Sequence, residues 1–201
     1  LVPPKPIVDI LDQPPPPDVV LSPTRDVVAV VEHGGMPTIA DLARPMLRLA
    51  GLRIDPATNG RHHARTARSL SLKAVADGAT RPVTLPASPA LTWLGFSADG
   101  ARFAFTHTRP NGIELWVGDA ATGQAKALPG ADLNAIFGAP CSWVGTGAAL
   151  LCTVTVPGRG AAPALPAVPT GPNVQEHRGG VSPVRTYQDL LTSAHDEALF
   201  E

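Results

Sequence analysis

The sequence predicts a mainly β chain: an incomplete β-propeller of about two and a half blades of four-stranded antiparallel sheet, with a helical insertion and a C-terminal helix. Three observations carry this. Short apolar or alternating runs, separated by tight turns, recur through residues 19–156. The pattern repeats within the chain. And 23 prolines with 19 glycines among 201 residues exclude a helical bundle, because each interior proline removes a hydrogen bond and clashes with the preceding turn. An apolar content of 44% gives the chain enough to bury, which excludes disorder.

The repeat has a definite register. Ser97–Ala104 lies over Ser22–Ala29 without a gap, and Trp143–Leu151 repeats the register that begins at Phe96. Each copy holds an aromatic or apolar residue, a tight turn and a buried strand. Such a unit cannot cover its own faces, so neighbouring units must cover them. Two and a half units cannot close a ring. A β-sandwich of eight to ten strands is the alternative arrangement.

In chain order, residues 1–18 read as an extended proline-rich lead-in, with Ile7, Ile10 and Leu11 as anchors and Pro14–Pro17 as a polyproline II connector. Val19–Leu21, a turn at Ser22–Asp26 and the β-branched run Val27–Val31 begin the first blade. An insertion at 34–67 interrupts it. There Ile39, Leu42, Ala43, Met46, Leu47 and Ala50 recur at helical spacing, which predicts a helix over Thr38–Leu49 with a break at Pro45. Gly51–Asp55 is extended and Pro56–Gly60 a turn. The blade resumes at Ser69–Val75, turns at Asp77-Gly78 and returns through Pro82–Leu85.

A compact blade follows at about 90–129, with strands at Leu91–Phe96, Arg102–Thr106, Ile113–Val117 and Gln124–Leu128. A third opens at about 141–156. Residues 157–184 hold five glycines and six prolines, too many for a regular element. A helix is predicted over 185–201, capped by Thr186, with Tyr187, Leu190, Leu191, Ala194 and Ala198 as its apolar stripe.

Net charge is −1, and no run of like charge exceeds two. This argues against nucleic-acid and membrane-surface partners. No apolar run reaches the length needed to span a bilayer. The search for chemistry assigns no catalytic, cofactor-binding or metal-binding residue. Gly180-Val181-Ser182-Pro183-Val184 half matches a nucleophile elbow but lacks its second glycine, so Ser182 reads as a loop serine. His195-Asp196-Glu197 lacks the second histidine of a zinc helix. His62 and His63, among Arg61, Arg65 and Arg68, read as a solvated basic loop that could attract an acidic group. Trp93, Trp116 and Trp143 sit at strand positions and read as core. Cys141 and Cys152 fall on expected neighbouring strands, where a disulfide in an oxidising compartment and two buried thiols are both open.

Several of these segments resemble a known family. They are Ile7–Asp12 with the four prolines after it, Pro45–Pro56 (PMLRLAGLRIDP), Phe96–Gly100, Arg185–Leu191 and His195–Glu201. Together they resemble the N-terminal part of prolyl oligopeptidase family serine peptidases, in the glutamyl-endopeptidase-like branch, over nearly the whole chain. The resemblance implies an α/β-hydrolase domain beyond this chain, carrying the Ser, Asp and His of a triad. It implies a propeller that limits substrate access to that triad, and hydrolysis of peptide bonds, with cleavage after Glu as one form. The implied partners are the remainder of the same peptidase and a peptide substrate, and no cofactor is implied. A periplasmic or secreted location is expected, with a cytoplasmic one as the alternative. Glu201 is then either a self-processing end or a truncation. The competing reading is a non-enzymatic periplasmic propeller that binds partners or serves as a scaffold.

Overall fold

The computed structural model describes residues 3–62, 66–130, 132–164, 167–168, 171, 176, 179–181 and 189–201. Elements run in the order α1 (Lys5–Leu11), β1 (Asp18–Leu21), β2 (Val27–His33), α2 (Ile39–Leu42), β3 (Leu47–Leu49), β4 (Leu52–Asp55), β5 (Gly60–Arg61), β6 (Ala67–Ala74) and β7 (Thr80–Pro82). They continue with β8 (Leu91–Phe96), β9 (Arg102–Arg109), β10 (Gly112–Asp119), β11 (Ala125–Leu128), β12 (Cys141–Val144), β13 (Ala149–Cys152) and α3 (Ala194–Phe200). The chain is mainly β and its sheets are antiparallel. Strands β1, β2, β6 and β7 form one four-stranded meander, and β8 to β11 form a second. One residue pair, Ala67 with Leu91, links the two through β6 and β8. Strands β12 and β13 pair only with each other, and no sheet closes.

The repeat read from the sequence is visible atom by atom in two turns. Ser22 and Ser97 are both buried. Ser22 Oγ accepts the Val27 N–H at 3.2 Å and donates to Asp26 Oδ1 at 2.8 Å. Ser97 Oγ accepts the Arg102 N–H at 2.9 Å and donates to Asp99 Oδ1 at 2.6 Å. In each turn the serine reaches the N–H five residues ahead, so a buried hydroxyl takes the place of a backbone partner. Hydrogen bonds from the Thr24 hydroxyl first and Ser22 second hold the Asp26 carboxyl below the usual carboxylate range, and the Ser97 hydroxyl does the same for Asp99. The turns also stack. The open face of Gly100 lies against Thr24, and that of Gly147, in the β12–β13 turn, lies against Ser97 and Ala98.

Two apolar layers follow from this stacking. Ala29, Leu70, Leu72, Phe103 and Phe105 fill the space between the meanders. Ala104, Ile113, Leu115, Leu133 and Cys141 fill the next, under the β12–β13 hairpin, with Trp93 and Trp143 packed against them. Trp116 stacks on Phe105 with ring centroids 5.8 Å apart. All three tryptophans are therefore packing residues. Trp143 adds a hydrogen bond between units, donating from Nε1 to Gly95 O at 3.0 Å.

Three local expectations are corrected. The lead-in is not wholly extended: Lys5–Leu11 is a short helix, started by a proline in its first turn and braced by a Lys5–Asp9 ion pair at 2.7 Å. Its Ile10 and Leu11 are exposed and anchor nothing. The Thr38–Leu49 helix is reduced to α2, four residues with a Thr38/Asp41 capping box. Beyond Pro45 the period becomes two. Leu47 and Leu49 on β3 pair with Ile54 and Leu52 on β4 around Ala50 and Gly51, both at positive φ (50° and 72°). The C-terminal helix spans Ala194–Phe200 with Ser193 as its cap, and residues 189–193 before it are not helical; Thr186 and Tyr187 lie outside the described residues. Leu190 and Leu191 precede the helix, and Leu191, Leu199 and Phe200 pack with Leu49, Ile54 and Ile136.

Cys141 and Cys152 are directly opposite on β12 and β13 and joined as a disulfide, with Cα atoms 4.1 Å apart. Isolated two-stranded sheets are marginal in water, so this crosslink and the underlying apolar layer hold the hairpin. Three stability outcomes are expected in urea unfolding followed by tryptophan fluorescence. Cys141→Ser with Cys152→Ser lowers stability by about 2–3 kcal/mol, the entropy of a short closed loop. Gly147→Ala, at φ +97° and with its new Cβ 2.6 Å from that of Ser97, costs about 2–3 kcal/mol. Gly145→Ala, also at positive φ but facing open space, costs only about 1 kcal/mol.

Candidate functional site

The residues singled out in the sequence do not converge. His195 and Asp196 lie on α3, where the Asp196 carboxylate accepts from Thr192 N–H (2.9 Å) and Thr192 Oγ1 (2.8 Å) as a cap, holding its acid strength above that of an ordinary Asp. Ser182 and His63 lie outside the described residues. His62 is not solvated: it is 7% exposed, with Nε2 within 3.0 Å of Arg44 O. The reason is Asp55, buried at the end of β4, which pairs with Arg44 at 3.1 Å and draws the 44–62 segment closed. Among the described residues no group of three His, Cys, Asp or Glu side chains could hold a metal ion.

The concavity with the most chemistry lies where the two meanders meet. A cavity of about 140 Å³ is lined by Val20, Val31, Leu70, Leu91, Leu94 and Phe105. At its rim His33 Nε2 meets Asp18 Oδ2 at 2.6 Å, across the β1–β2 pair. Here the carboxylate can only accept, so the imidazole donates from Nε2. His33 Nδ1 is buried and reaches no partner among the described residues. The other polar liner, Thr92, is hydrogen-bonded through its hydroxyl to Thr106 at 2.8 Å. Among the described residues that line the cavity, no Ser or Cys stands beside this His–Asp pair. Among the described residues no Ser or Cys forms a hydrogen bond with a histidine, so the groups needed for covalent acyl transfer are not assembled there.

A second polar cluster sits on β9 and β10. Arg109 lies between Glu114 (3.4 Å) and Asp132 (3.5 Å), and Glu114 also accepts from Trp116 Nε1 at 2.9 Å. His107 opposes Glu114 across the strands and accepts the Ala90 N–H at Nδ1 (3.2 Å). Burial pushes the His107 pKa below the ordinary imidazole value, against the raising effect of Glu114 and with the help of Arg109. The acceptor role at Nδ1 requires the same neutral ring. Arg109 is paired with Glu114 and Asp132, and His107 Nδ1 with Ala90, although Arg109 Nε has no hydrogen-bond partner among the described residues.

Sequence reading missed the Asp18–His33 pair because nothing in the local pattern links positions fifteen apart. It also missed the hairpin at Leu47–Asp55, although the alternation of Leu47-Arg48-Leu49 and Leu52-Arg53-Ile54 around Ala50-Gly51 carries that signal. No helix among the described residues is long and apolar enough to cross a membrane.

No protein-family model matches the chain. Two curated relatives do. Over 215 residues it is 34% identical to a protein of Oryza sativa subsp. japonica named "Probable glutamyl endopeptidase, chloroplastic". Over 214 residues it is 35% identical to a protein of Arabidopsis thaliana with the same name. Both matches take in 100% of this chain but only 23% and 22% of the relatives' lengths. The chain thus spans less than a quarter of the curated relatives it matches. The likeness first seen in Pro45–Pro56 and its companion segments extends from end to end, and the chain is related throughout to a segment of glutamyl-endopeptidase-like proteins.

Proposed function

We propose that this chain is the N-terminal, propeller-forming segment of a prolyl-oligopeptidase-type serine peptidase that cleaves peptide bonds after Glu. One observation carries the reading: end-to-end similarity to proteins named as probable glutamyl endopeptidases. The architecture supports a supporting rather than a reacting role. Its buried serines, Ser22 and Ser97, are spent on turns, and its histidines His33, His62 and His107 lie against Asp18, Arg44 O and Ala90 N. The catalytic Ser, Asp and His belong to a hydrolase portion of the longer protein. The stacked meanders with unclosed sheets leave faces for further blades, and the completed ring limits which substrates reach the triad. The partners are then the rest of the peptidase and a peptide substrate. The Cys141–Cys152 crosslink suits an oxidising compartment such as the periplasm.

The full-length protein tests this. A fluorophosphonate probe is expected to label one serine outside this segment. Short peptides with Glu before the scissile bond are expected to be cut faster than their Gln counterparts, by on the order of a hundredfold in kcat/KM. The same Glu site within a stably folded protein should survive. Absence of probe labelling would leave a non-enzymatic binding role, and equal cutting of the folded substrate would remove the access-limiting one.

A further inference from the structure

We propose that the outer face of the β3–β4 hairpin is a docking surface for an acidic peptide segment. The hairpin is two-sided. Its inner residues Leu47, Leu49, Leu52 and Ile54 pack into the apolar cluster with Ile136 and Phe200. Its outer residues are Arg48 and Arg53, directly opposite each other in the register and both exposed. Directly opposed side chains on one face stand with Cβ atoms about 5 Å apart, and like charges there destabilise the pair. The surroundings compensate only half of this charge. Asp189 Oδ1 meets Arg48 Nε at 3.3 Å, while Arg53 forms no ion pair among the described residues.

The imbalance extends through the insertion. Residues 34–67 carry five arginines against two aspartates, a formal +3 in a chain whose total is −1. Of those two aspartates, Asp55 is already held by Arg44, and Asp41 caps α2. The insertion therefore carries net positive formal charge in an otherwise acidic chain. Two guanidinium groups at cross-strand spacing suit carboxylates carried on an extended chain. Arginine also binds carboxylates in a planar, two-pronged geometry that lysine lacks. An acidic peptide supplies carboxylates at the 3.3 Å rise of a strand, so two alternate ones can meet both arginines. Contacts of this exposed kind act mainly on encounter and orientation and weaken with salt.

The test measures binding without turnover, so it stands apart from the peptidase reading. Full-length protein, with any reactive serine first blocked by a fluorophosphonate, is titrated into fluorescein-labelled hexa-aspartate and hexaglutamine, followed by anisotropy. Hexa-aspartate is expected to bind at about 50 mM salt and to weaken about tenfold or more at 0.3 M. Hexaglutamine is not expected to bind. Arg48→Gln with Arg53→Gln should weaken hexa-aspartate binding about tenfold, and Arg53→Lys, which keeps the charge but loses the two-pronged geometry, should weaken it by about threefold. The double variant should unfold close to the parent's temperature, since removal of the like-charge pair offsets loss of the half-exposed Arg48–Asp189 ion pair. Unchanged binding in the double variant, equal binding of hexaglutamine, or complete displacement by millimolar inorganic phosphate, which marks a small-anion site, would each overturn the proposal.

Discussion

Strand β9 is buried on both faces, and the rest of the molecule is arranged around that fact. Phe103, Ala104, Phe105 and Thr106 all have zero exposure. Successive side chains on a strand point to opposite sides, so a strand with no exposed face needs an apolar layer on each. Phe103 and Phe105 face the first meander, where Leu70 and Leu72 meet them. Ala104 faces the other way, toward Leu115 and the β12–β13 hairpin. Polar atoms in such a strand must be satisfied locally. Thr106 and His107 meet this requirement through Thr92 and Ala90, on or beside β8. Neither neighbouring unit is optional, because removing either exposes one face of β9. The small residue at 104 lets the third unit approach closely, while the phenylalanines at 103 and 105 fill the wider gap on the other side.

The stacked turns set the spacing between these layers. Ser22 and Ser97 form the same closed turn, and Thr24 fits where Gly100 lacks a side chain. A second inter-unit link lies nearby: Thr84 N–H donates to Gly123 O at 2.9 Å. The meanders are therefore fastened at their turns, while their strands share only the Ala67–Leu91 pair. That leaves the cavity rimmed by Asp18 and His33 between them. Units joined at their ends and packed through side chains can be repeated indefinitely without strand pairing between sheets, which is the arrangement a repeat architecture requires.

The strands were legible in the sequence because their signals are local. Asp77-Gly78 and the serine turns marked where the chain reverses, and Leu91–Phe96 and Ile113–Val117 carried enough apolar residues to be read as strands. The insertion misled for an equally physical reason. Ile39, Leu42, Ala43, Met46 and Leu47 do fall at helical spacing, but Ile39 and Leu42 have nothing to pack against and remain exposed. A short helix without tertiary burial does not propagate, so α2 stops after one turn. The hairpin wins beyond Pro45 because its four apolar residues reach a cluster that a helix there would miss. His62 was misread because its burial depends on Asp55 and Arg44, contacts that composition cannot reveal. The candidate site was legible only as an absence of motifs: the Asp18–His33 pair arises from strand register, which single residues do not announce.

The insertion also explains why the C-terminal residues return to the N-terminal half. The inner face of β3–β4 is apolar but only three to four residues long, too small to be stable as a free sheet. It needs a cover, and the described part of the C-terminal segment supplies one through Leu191, Leu199 and Phe200. Two polar contacts fix the same approach: Gly51 N–H donates to Asp189 O at 2.8 Å, and Arg48 pairs with the Asp189 carboxylate. One aspartate thus closes the hairpin turn through its backbone and neutralises one arginine through its side chain. Arg53, on the adjacent strand, forms no ion pair among the described residues. The cover that stabilises the inner face thus neutralises only one of the two opposed arginines on the outer one.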